Sequence, residues 1–310
     1  MTDPASTDGH SSSTDGHPSS TDGHPSSTDP ERALSPGSAR PGWRHRLGRV
    51  VARELRTVAR TRTFGLLAAA LAAVVVAIAW VGGGVRAGYV PAVVDLLTPL
   101  ELLVPIVAVA FGYRAILGDR RRGELDVLET YPLSARELVV GVYVGRALAL
   151  TVAVVVPLVV VGLGVVVARE APLAIYATHA GADSPLLYAR FVVLTAAFAL
   201  TMLAVAVAVS ALVGGSRSAL ALAVLALVVL LVGLDLALVA GLASGLLGDS
   251  SLVHALAVSP LSAYRGLVFE TVVLTAAGTG PRVASPGASL VGLLVWTVGS
   301  LAVATWGVKR

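Results

Sequence analysis

The sequence predicts an all-α membrane protein with six transmembrane helices, an amphipathic helix before the first of them and both termini in the cytoplasm. Three observations predict this fold class. Of the 310 residues, 55% are hydrophobic and only 14% are charged, whereas soluble domains have about 25% charged residues. Six apolar stretches are each long enough for a bilayer core, which needs about 20 helical residues. Arginines are concentrated in alternate connections, which is typical of cytoplasmic loops.

Residues 1–42 form a polar tail that begins with a seven-residue repeat of Ser-Thr-Asp-Gly-His. The repeats contain no apolar side chain whose burial would offset the entropy of ordering, so the tail is predicted to be disordered. Its spaced histidines, His10, His17 and His24, would bind a divalent metal only weakly, because a flexible array must first be ordered by the metal. A solvated, tandemly duplicated tail is the favoured interpretation.

Residues 43–62 are predicted to form a basic amphipathic helix. Its apolar residues recur at helical spacing and are Trp43, Leu47, Val50, Val51, Leu55 and Val58. The positions between them are filled by Arg44, Arg46, Arg49, Arg53, Arg56 and Arg60. This pattern is typical of helices at a membrane surface. Nucleic acid is the alternative partner for so many arginines, but the helix runs directly into the apolar stretch from Phe64, so membrane lipid is favoured and no nucleic acid is expected.

The remaining chain, residues 43–310, is predicted to be one transmembrane domain. Its six spans cover about residues 64–82, 92–117, 139–168, 188–213, 219–240 and 288–306. One set of connections, together with the two flanks of the domain, carries most of the basic residues, including Arg114, Arg120, Arg121, Arg122, Arg136, Arg217, Lys309 and Arg310. The other set carries single arginines, at Arg86, Arg169, Arg265 and Arg282. Because basic residues are retained in the cytoplasm, both termini are predicted there and the moderately polar loop 241–287 outside.

The chain offers few residues for catalysis or for binding a cofactor. Its only lysine is Lys309, so it has no Gly-Lys-Ser/Thr phosphate-binding loop. The motifs of zinc proteases and serine hydrolases are missing too, and the lack of cysteine excludes disulfides, thiolate metal sites and cysteine nucleophiles. We therefore predict that the chain is not an enzyme, has no catalytic residue and holds no metal or cofactor.

The inner loop between the second and third predicted spans is the most polar part of the domain. It is predicted to form a short helix parallel to the membrane, with Leu125 and Leu128 on one face. Its acidic residues, elsewhere around the helix, are Glu124, Asp126 and Glu129. Pro132 must end this helix. Ser134 then caps the next one, with Glu137 completing a capping box.

This loop resembles that of the permease subunits of ABC-2 type ABC transporters, especially the NosY-like branch. The family pattern is an acidic-basic pair, a glycine, a Leu-x-x-Leu run, a proline and a Ser/Arg before the next span. The matching residues are Asp119, Arg120, Gly123, Leu125, Asp126, Leu128, Pro132, Ser134 and Arg136. Arg53-Glu54-Leu55, Leu103-Val104-Pro105 and the run from Ser259 to Arg265 extend the resemblance from about residue 50 to the end. The sequence departs from the pattern at Glu124, where a threonine is usual, and after Gly141, which a lysine commonly follows.

The resemblance implies a permease subunit that moves an unidentified substrate across the cell membrane, while a separate subunit hydrolyses ATP. It implies that residues 119–131 form a coupling helix seated in a groove of that ATP-binding subunit, in a dimeric permease. The coupling residues so implied are Asp119, Arg120, Gly123, Glu124, Leu125, Asp126, Leu128, Glu129 and Pro132. ATP binding would bring two ATP-binding subunits together, and the docked helices would rock the second and third spans.

Two acidic residues lie deep inside predicted spans, where a charge is costly enough to indicate a function. Glu101 lies between Pro99 and Pro105, two prolines that free backbone carbonyls and can break the second span. Asp235 lies in the outer half of the fifth span. A packing or assembly role is favoured for both acids, with a place on the substrate path as the alternative. Asp95, in contrast, is predicted to be solvated near the outer boundary.

Gly141 and Gly145 lie on one face of the third predicted span. Two small residues at this spacing let another helix approach closely. Packing within one subunit is the favoured interpretation, and a contact between two permease copies is the alternative.

A membrane-embedded enzyme and a self-contained secondary transporter are the competing functions. Secondary transporters usually show internal repeats with interrupted helices at matching positions, and only one proline-interrupted span is predicted here. A NosY-like role in the maturation of a copper enzyme is one specialisation of the permease. Two methionines and no cysteine provide few soft ligands, so the cargo in that role is not expected to be a bare copper ion.

Overall fold

A computed structural model describes residues 43–121, 134–168, 183–245, 248–278 and 284–309. In these ranges the chain is helical, with turns and bends but no strand. Six helices of this part of the chain are long and apolar enough to cross a membrane. The predicted fold class, an all-α protein with six transmembrane helices, is therefore confirmed. The predicted tail, residues 1–42, lies outside the described residues.

The six spans follow the predicted order, with small shifts at their ends. Span one is Arg62–Val81, span two Tyr89–Gly112, span three Ala135–Ala168, span four Pro185–Leu212, span five Ser216–Ala243 and span six Pro286–Val308. Span two ends earlier than predicted, because a turn at residues 113–116 separates it from the short helix Leu117–Arg121. Spans two and four have the largest shares of buried residues, whereas few residues of spans one, five and six are buried.

The amphipathic helix precedes span one at Trp43–Arg60. Its apolar residues differ in how deeply they are buried. Val50 and Val58 are buried inside the protein, whereas Trp43 and Leu55 remain exposed. The helix therefore uses part of its apolar face for packing within the chain and leaves the rest for its surroundings.

Span two is continuous through Pro99 and Pro105, so the expectation of a break at these prolines is wrong. Proline removes one backbone donor, and a membrane helix tolerates this loss where neighbouring helices pack around it. Asp183, just before span four, holds the start of span two by accepting hydrogen bonds from the backbone N–H groups of Tyr89 (3.2 Å) and Val90 (2.8 Å).

Asp95 closes the turn between spans one and two. Its carboxylate accepts a hydrogen bond from the Gly84 backbone N–H at 3.0 Å, and a Cβ atom on Gly84 would lie only 2.6 Å from the same oxygen. Asp95 is half-buried. The carboxylate is thus partly exposed, and the backbone of the turn supplies one of its hydrogen bonds.

Residues 248–278, between spans five and six, form a hairpin that enters the bundle; we call it the re-entrant hairpin. Its helical segments are Asp249–Ala255, the 3₁₀ turn Leu256–Val258, Pro260–Val268, the π-helical turn Phe269–Val273, and Leu274–Ala277. The prediction of an outer loop for this region is corrected here. Leu261, Tyr264 and Leu267 are buried, and burying them draws the segment into the protein.

Hydrogen bonds to span six define how deep the hairpin reaches. The Val253 carbonyl accepts from the Ser285 N–H (3.2 Å), beside the start of the span, whereas the Val258 carbonyl accepts from the Trp296 indole (2.9 Å). Trp296 is ten residues beyond Pro286, which is about 15 Å along a helix that rises about 1.5 Å per residue. The chain then returns, since Glu270 accepts a hydrogen bond from the Ala284 N–H at 2.9 Å. The tip of the hairpin therefore lies near the middle of the bundle.

Candidate coupling and transport sites

The helix Leu117–Arg121, which contains the first residues of the predicted coupling segment 119–131, is fixed to span four. The backbone N–H groups of Ile116 and Leu117 donate to the Ser210 hydroxyl at 2.9 and 3.0 Å. These N–H groups open the helix Leu117–Arg121 and have no partner within it. Ser210, buried near the C-terminal end of span four, therefore caps this helix from a position 93 residues away.

Asp119 connects the coupling segment to the amphipathic helix. It is buried, and its carboxylate accepts a hydrogen bond from the Arg53 guanidinium at 2.7 Å. Arg53 also contacts Glu54 at 3.1 Å. Asp119 thus makes contacts within this chain, and a displacement of the segment would act directly on the amphipathic helix.

Arg120 joins the same segment to the ends of spans four and six. Its guanidinium donates to the carbonyls of Ala211 (3.3 Å) and Val213 (3.4 Å), and to that of Gly307 at 3.0 Å. The last carbonyls of a helix lack partners within the helix and carry partial negative charge, so an arginine there is favourable. Gly307 also permits close packing, since a Cβ atom on it would lie 3.0 Å from the Ala211 carbonyl oxygen.

The other predicted coupling residues lie outside the described residues: Gly123, Glu124, Leu125, Asp126, Leu128, Glu129 and Pro132. The chain is described again from Ser134, where the predicted capping box is confirmed. Glu137 accepts from the Ser134 N–H at 2.8 Å, and the Ser134 hydroxyl accepts from the Glu137 N–H at 3.2 Å. Span three therefore begins where its local sequence indicates.

A buried arginine in span three, Arg146, connects three helices at the same end of the bundle. It pairs with Glu54 of the amphipathic helix at 3.1 Å and donates to the Phe111 carbonyl in the last turn of span two. Its guanidinium also lies over the Phe64 ring of span one, 6.0 Å from the centroid. The sequence-based predictions do not include this pair. The sequence does contain a signal for it, because Arg146 is a charge inside an apolar span and Glu54 is a carboxylate in an arginine-rich helix.

The two glycines of span three are contact points for the amphipathic helix. A Cβ atom on Gly141 would lie 2.6 Å from Val50, and one on Gly145 would lie 2.6 Å from the Glu54 Cβ. Close packing within one chain, the favoured interpretation of these glycines, is therefore confirmed. The close approach also brings Glu54 within reach of Arg146.

Glu101 forms an ion pair in the interior of the bundle with Arg265 of the re-entrant hairpin. The Arg265 Nε donates to one carboxylate oxygen at 2.7 Å, and a terminal nitrogen donates to the other. Glu101 is buried, whereas 46% of the Arg265 side chain is exposed. The expectation that Arg265 lies in an outer loop is wrong, because the re-entrant hairpin brings it to the middle of span two.

Asp235 of span five lies beside the same hairpin. Its carboxylate accepts a hydrogen bond from the Ser262 hydroxyl at 2.8 Å. We call Glu101, Asp235, Ser262 and Arg265 the central polar cluster. It contains two carboxylates and one guanidinium contributed by three separate parts of the chain. Glu101 of span two and Asp235 of span five, the two acids singled out in the sequence, thus contact residues three positions apart on the same hairpin.

Tyr264 anchors the hairpin next to this cluster. It is fully buried, its hydroxyl lies 2.9 Å from the Thr195 hydroxyl, and its ring stacks on Phe198 with centroids 4.6 Å apart. A buried tyrosine with its hydroxyl paired contributes both a large apolar area and a directional bond. The hairpin is therefore held against span four while Arg265 remains partly accessible.

Among the residues that the structure describes, no three His, Cys, Asp or Glu side chains are grouped closely enough to hold a metal ion. The chemistry offered by these sites is ion pairing and hydrogen bonding.

Comparison with known proteins gives the family. The model of the family described as "ABC-2 family transporter protein" matches residues 8–310. A protein from Pseudomonas aeruginosa called "Probable ABC transporter permease protein NosY" is 30% identical over 270 residues, which cover 82% of this chain and 94% of that protein. A protein of the same name from Stutzerimonas stutzeri is 29% identical over 226 residues, or 70% of this chain and 78% of that protein. With six apolar helices and a family match over nearly its whole length, the chain belongs to the ABC-2 family of transporter proteins.

Proposed function

We propose that this chain is the transmembrane permease subunit of an ABC transporter, and that it moves a substrate across the cell membrane in response to ATP hydrolysis on a separate subunit. Membership of the ABC-2 family implies that ATP-binding partner. The similarity to two proteins named as NosY permeases supports the assignment. The substrate is unidentified.

The observation that carries the coupling part of the proposal is the set of contacts at the start of the coupling segment. Asp119 contacts the amphipathic helix, Arg120 contacts spans four and six, and Ser210 holds the backbone. A segment so connected cannot move without moving several helices, because packed helices shift as units. We propose that the ATP-binding subunit seats on residues 119–131 and that these contacts pass its movement to the spans.

We propose the central polar cluster as part of the substrate path. A charge inside a membrane protein is costly and usually lines a pathway or pairs with another charge, and here Arg265 is paired yet about half exposed. π-helical turns are frequent at functional sites. One of them, Val229–Gly233, ends two residues before Asp235, and another, Phe269–Val273, follows Arg265 along the hairpin.

We propose that two permease copies assemble with the path between them. Span five exposes a continuous apolar stripe made of Val224, Val228, Val232, Leu236 and Val239. The stripe passes beside Asp235, so a second copy packed there would enclose the partly exposed side of the central polar cluster.

On the amphipathic helix, Arg49, Arg56 and Arg60 are exposed and suit the anionic lipid headgroups of the cytoplasmic leaflet.

We propose that both termini and the coupling segment face the cytoplasm. Because the chain has no cysteine, single cysteines give unambiguous labels at three exposed positions, Ala87, Ser134 and Lys309. We expect Ala87→Cys to react with a membrane-impermeant thiol reagent in intact cells. Ser134→Cys and Lys309→Cys should react only after the cells are permeabilised. The opposite pattern would reverse the orientation.

The proposed path can be tested without knowing the substrate. Ser262→Cys places a thiol in the central polar cluster, and Ser300→Cys places one in span six; the native serines are 8% and 9% exposed. In the complete transporter, we expect the Ser262→Cys thiol to react with a small water-soluble thiol reagent faster during ATP turnover than after the ATPase is inhibited. The difference should be about tenfold, or 1.4 kcal/mol in the free energy of opening, since an open path admits water. The Ser300→Cys thiol should react slowly in both states.

Equal rates for the two variants, or no response of the Ser262→Cys thiol to ATP, would remove the cluster from the path. The assignment as a permease would then rest on family membership and the ATP-binding partner that it implies, and the cluster would serve packing only.

A further inference from the structure

Two apolar grooves flank the start of span four, at the end of the bundle opposite the coupling segment. The first has a volume of about 400 Å³ and lies between span four, the re-entrant hairpin and span six, where it is lined by Leu186, Arg190, Val193, Leu267, Thr271 and Leu290. The second, of about 370 Å³, lies between spans three and four and is lined by Tyr89, Gly162, Leu163, Tyr188 and Val192. Ala189 and Val193 line both grooves, so the two lie side by side across one face of span four.

Arg190 is the charged member of the first groove. It is the sixth residue of the helix that begins at Pro185, which places its Cα about 7.5 Å along the span. At that depth the flexible stem of an arginine lies among acyl chains while its guanidinium reaches the headgroup region. The groove thus combines an apolar trough with a cation at its polar end.

The guanidinium of Arg190 keeps most of its binding capacity. One terminal nitrogen donates to the Thr271 carbonyl at 3.2 Å, and guanidinium has five N–H donors. In the part of the chain that the structure describes, Arg190 forms no ion pair. The nearby carboxylates are engaged elsewhere, Glu270 with the Ala284 N–H and Asp183 with the start of span two.

We propose that this surface binds one anionic phospholipid, with its phosphate on Arg190 and its two acyl chains in the two grooves on either side of Ala189. The small side chain of Ala189 leaves room for the glycerol backbone to cross span four between the grooves. The guanidinium can bind the phosphate oxygens of any phospholipid. Charge complementarity then selects the headgroup, because a zwitterionic lipid adds a cationic group that the positive charge of Arg190 repels, whereas an anionic lipid does not. The leaflet follows from the orientation proposed above and is the outer one, but the binding itself does not depend on that orientation.

The test uses the purified chain in phosphatidylcholine bilayers that contain a small fraction of lipid with a photoreactive acyl chain. The label is carried by phosphatidylglycerol in one experiment and by phosphatidylcholine in the other. We expect phosphatidylglycerol to crosslink to peptides from residues 186–194 about fivefold more than phosphatidylcholine, the preference that one arginine gives for an anionic lipid. Arg190→Gln should remove the preference, whereas Arg190→Lys should keep most of it.

Arg86→Gln is the matched control, because Arg86 is an exposed arginine at the same end of the bundle that lies over the Trp80 ring, 5.9 Å from its centroid, and lines neither groove. This variant should leave crosslinking unchanged. Leu290→Phe, which fills part of the first groove, should lower crosslinking by both lipids there. Equal crosslinking of the two lipids in the wild type, or an unchanged preference in Arg190→Gln, would overturn the proposal and leave the grooves as unspecific contacts with bulk lipid.

Discussion

Replacing Arg146 with methionine is expected to lower the free energy of unfolding of the permease by about 3 kcal/mol. Removing one partner of a buried ion pair typically costs about 3–5 kcal/mol, because the other charge is left without compensation. Here Glu54 loses its partner at 3.1 Å but keeps Arg53, which places the expected loss at the lower end. The carbonyl of Phe111 loses its donor as well. The measurement is the thermal unfolding of the detergent-solubilised chain, in which the midpoint should fall on the order of 10 °C.

Two further variants separate the ion pair from a general effect of the substitution. Arg136→Met changes an exposed arginine near the start of the same span and should leave the midpoint almost unchanged. The double variant Arg146→Met/Glu54→Met removes both charges and should recover much of the loss, since apolar side chains of similar size often replace a buried pair well. If Arg146→Met unfolds at the same temperature as Arg136→Met, the contact between the amphipathic helix and span three does not contribute to stability.

Replacing both Leu125 and Leu128 with aspartate is expected to detach the ATP-binding subunit. A helix that transmits force must dock through its apolar side chains, because two adjacent leucines would otherwise be exposed to water. Aspartate at both positions would place two charges in the docking groove, where burial of an unpaired charge is costly. The measurement is the amount of ATP-binding subunit that copurifies with the permease, and we expect a loss of about tenfold, which corresponds to 1.4 kcal/mol of binding free energy.

Membrane insertion and the melting midpoint of the permease alone are the folding controls for this variant, and Leu125→Met/Leu128→Met is the matched control that keeps the apolar face. Charge reversal at Glu124, Asp126 and Glu129 should weaken assembly with the ATP-binding subunit less than the aspartate variant does. The loss of assembly should be smaller still at high salt, because exposed charges steer association and are screened by ions. If the aspartate variant inserts normally and retains its partner and its ATPase activity, residues 119–131 do not form the docking element.

Local signals are sufficient to predict the elements. The capping box of Ser134 and Glu137 is confirmed, because the two residues are three positions apart and contact each other within one helical turn. The six spans are confirmed for a similar reason, since about twenty apolar residues in succession determine a transmembrane helix whatever its neighbours are. The expected break at Pro99 and Pro105 is wrong, because prolines in a buried span are stabilised by packing that the local sequence does not contain.

The partners of the charged residues cannot be predicted in this way. Glu101 and Arg265 are 164 positions apart, and Arg120 and Gly307 are 187 apart. The sequence shows that Glu101 and Asp235 are acidic residues inside apolar spans, but it indicates no partner for either. The assignment of Arg265 to an outer loop is wrong, because the moderate polarity of that region conceals a set of buried side chains around Tyr264.

Continuous stretches of residues are enough to establish a six-span membrane protein with a basic amphipathic helix and a short polar loop of the ABC-2 type, since each of these is a local property of the chain. Three features become visible only when the helices are packed together: residues 248–278 re-enter the bundle, Arg146 joins Glu54, and Arg120 holds the ends of two spans. The physical reason is that a charge in a low-dielectric interior must find a partner, and which partner it finds depends on how distant helices pack.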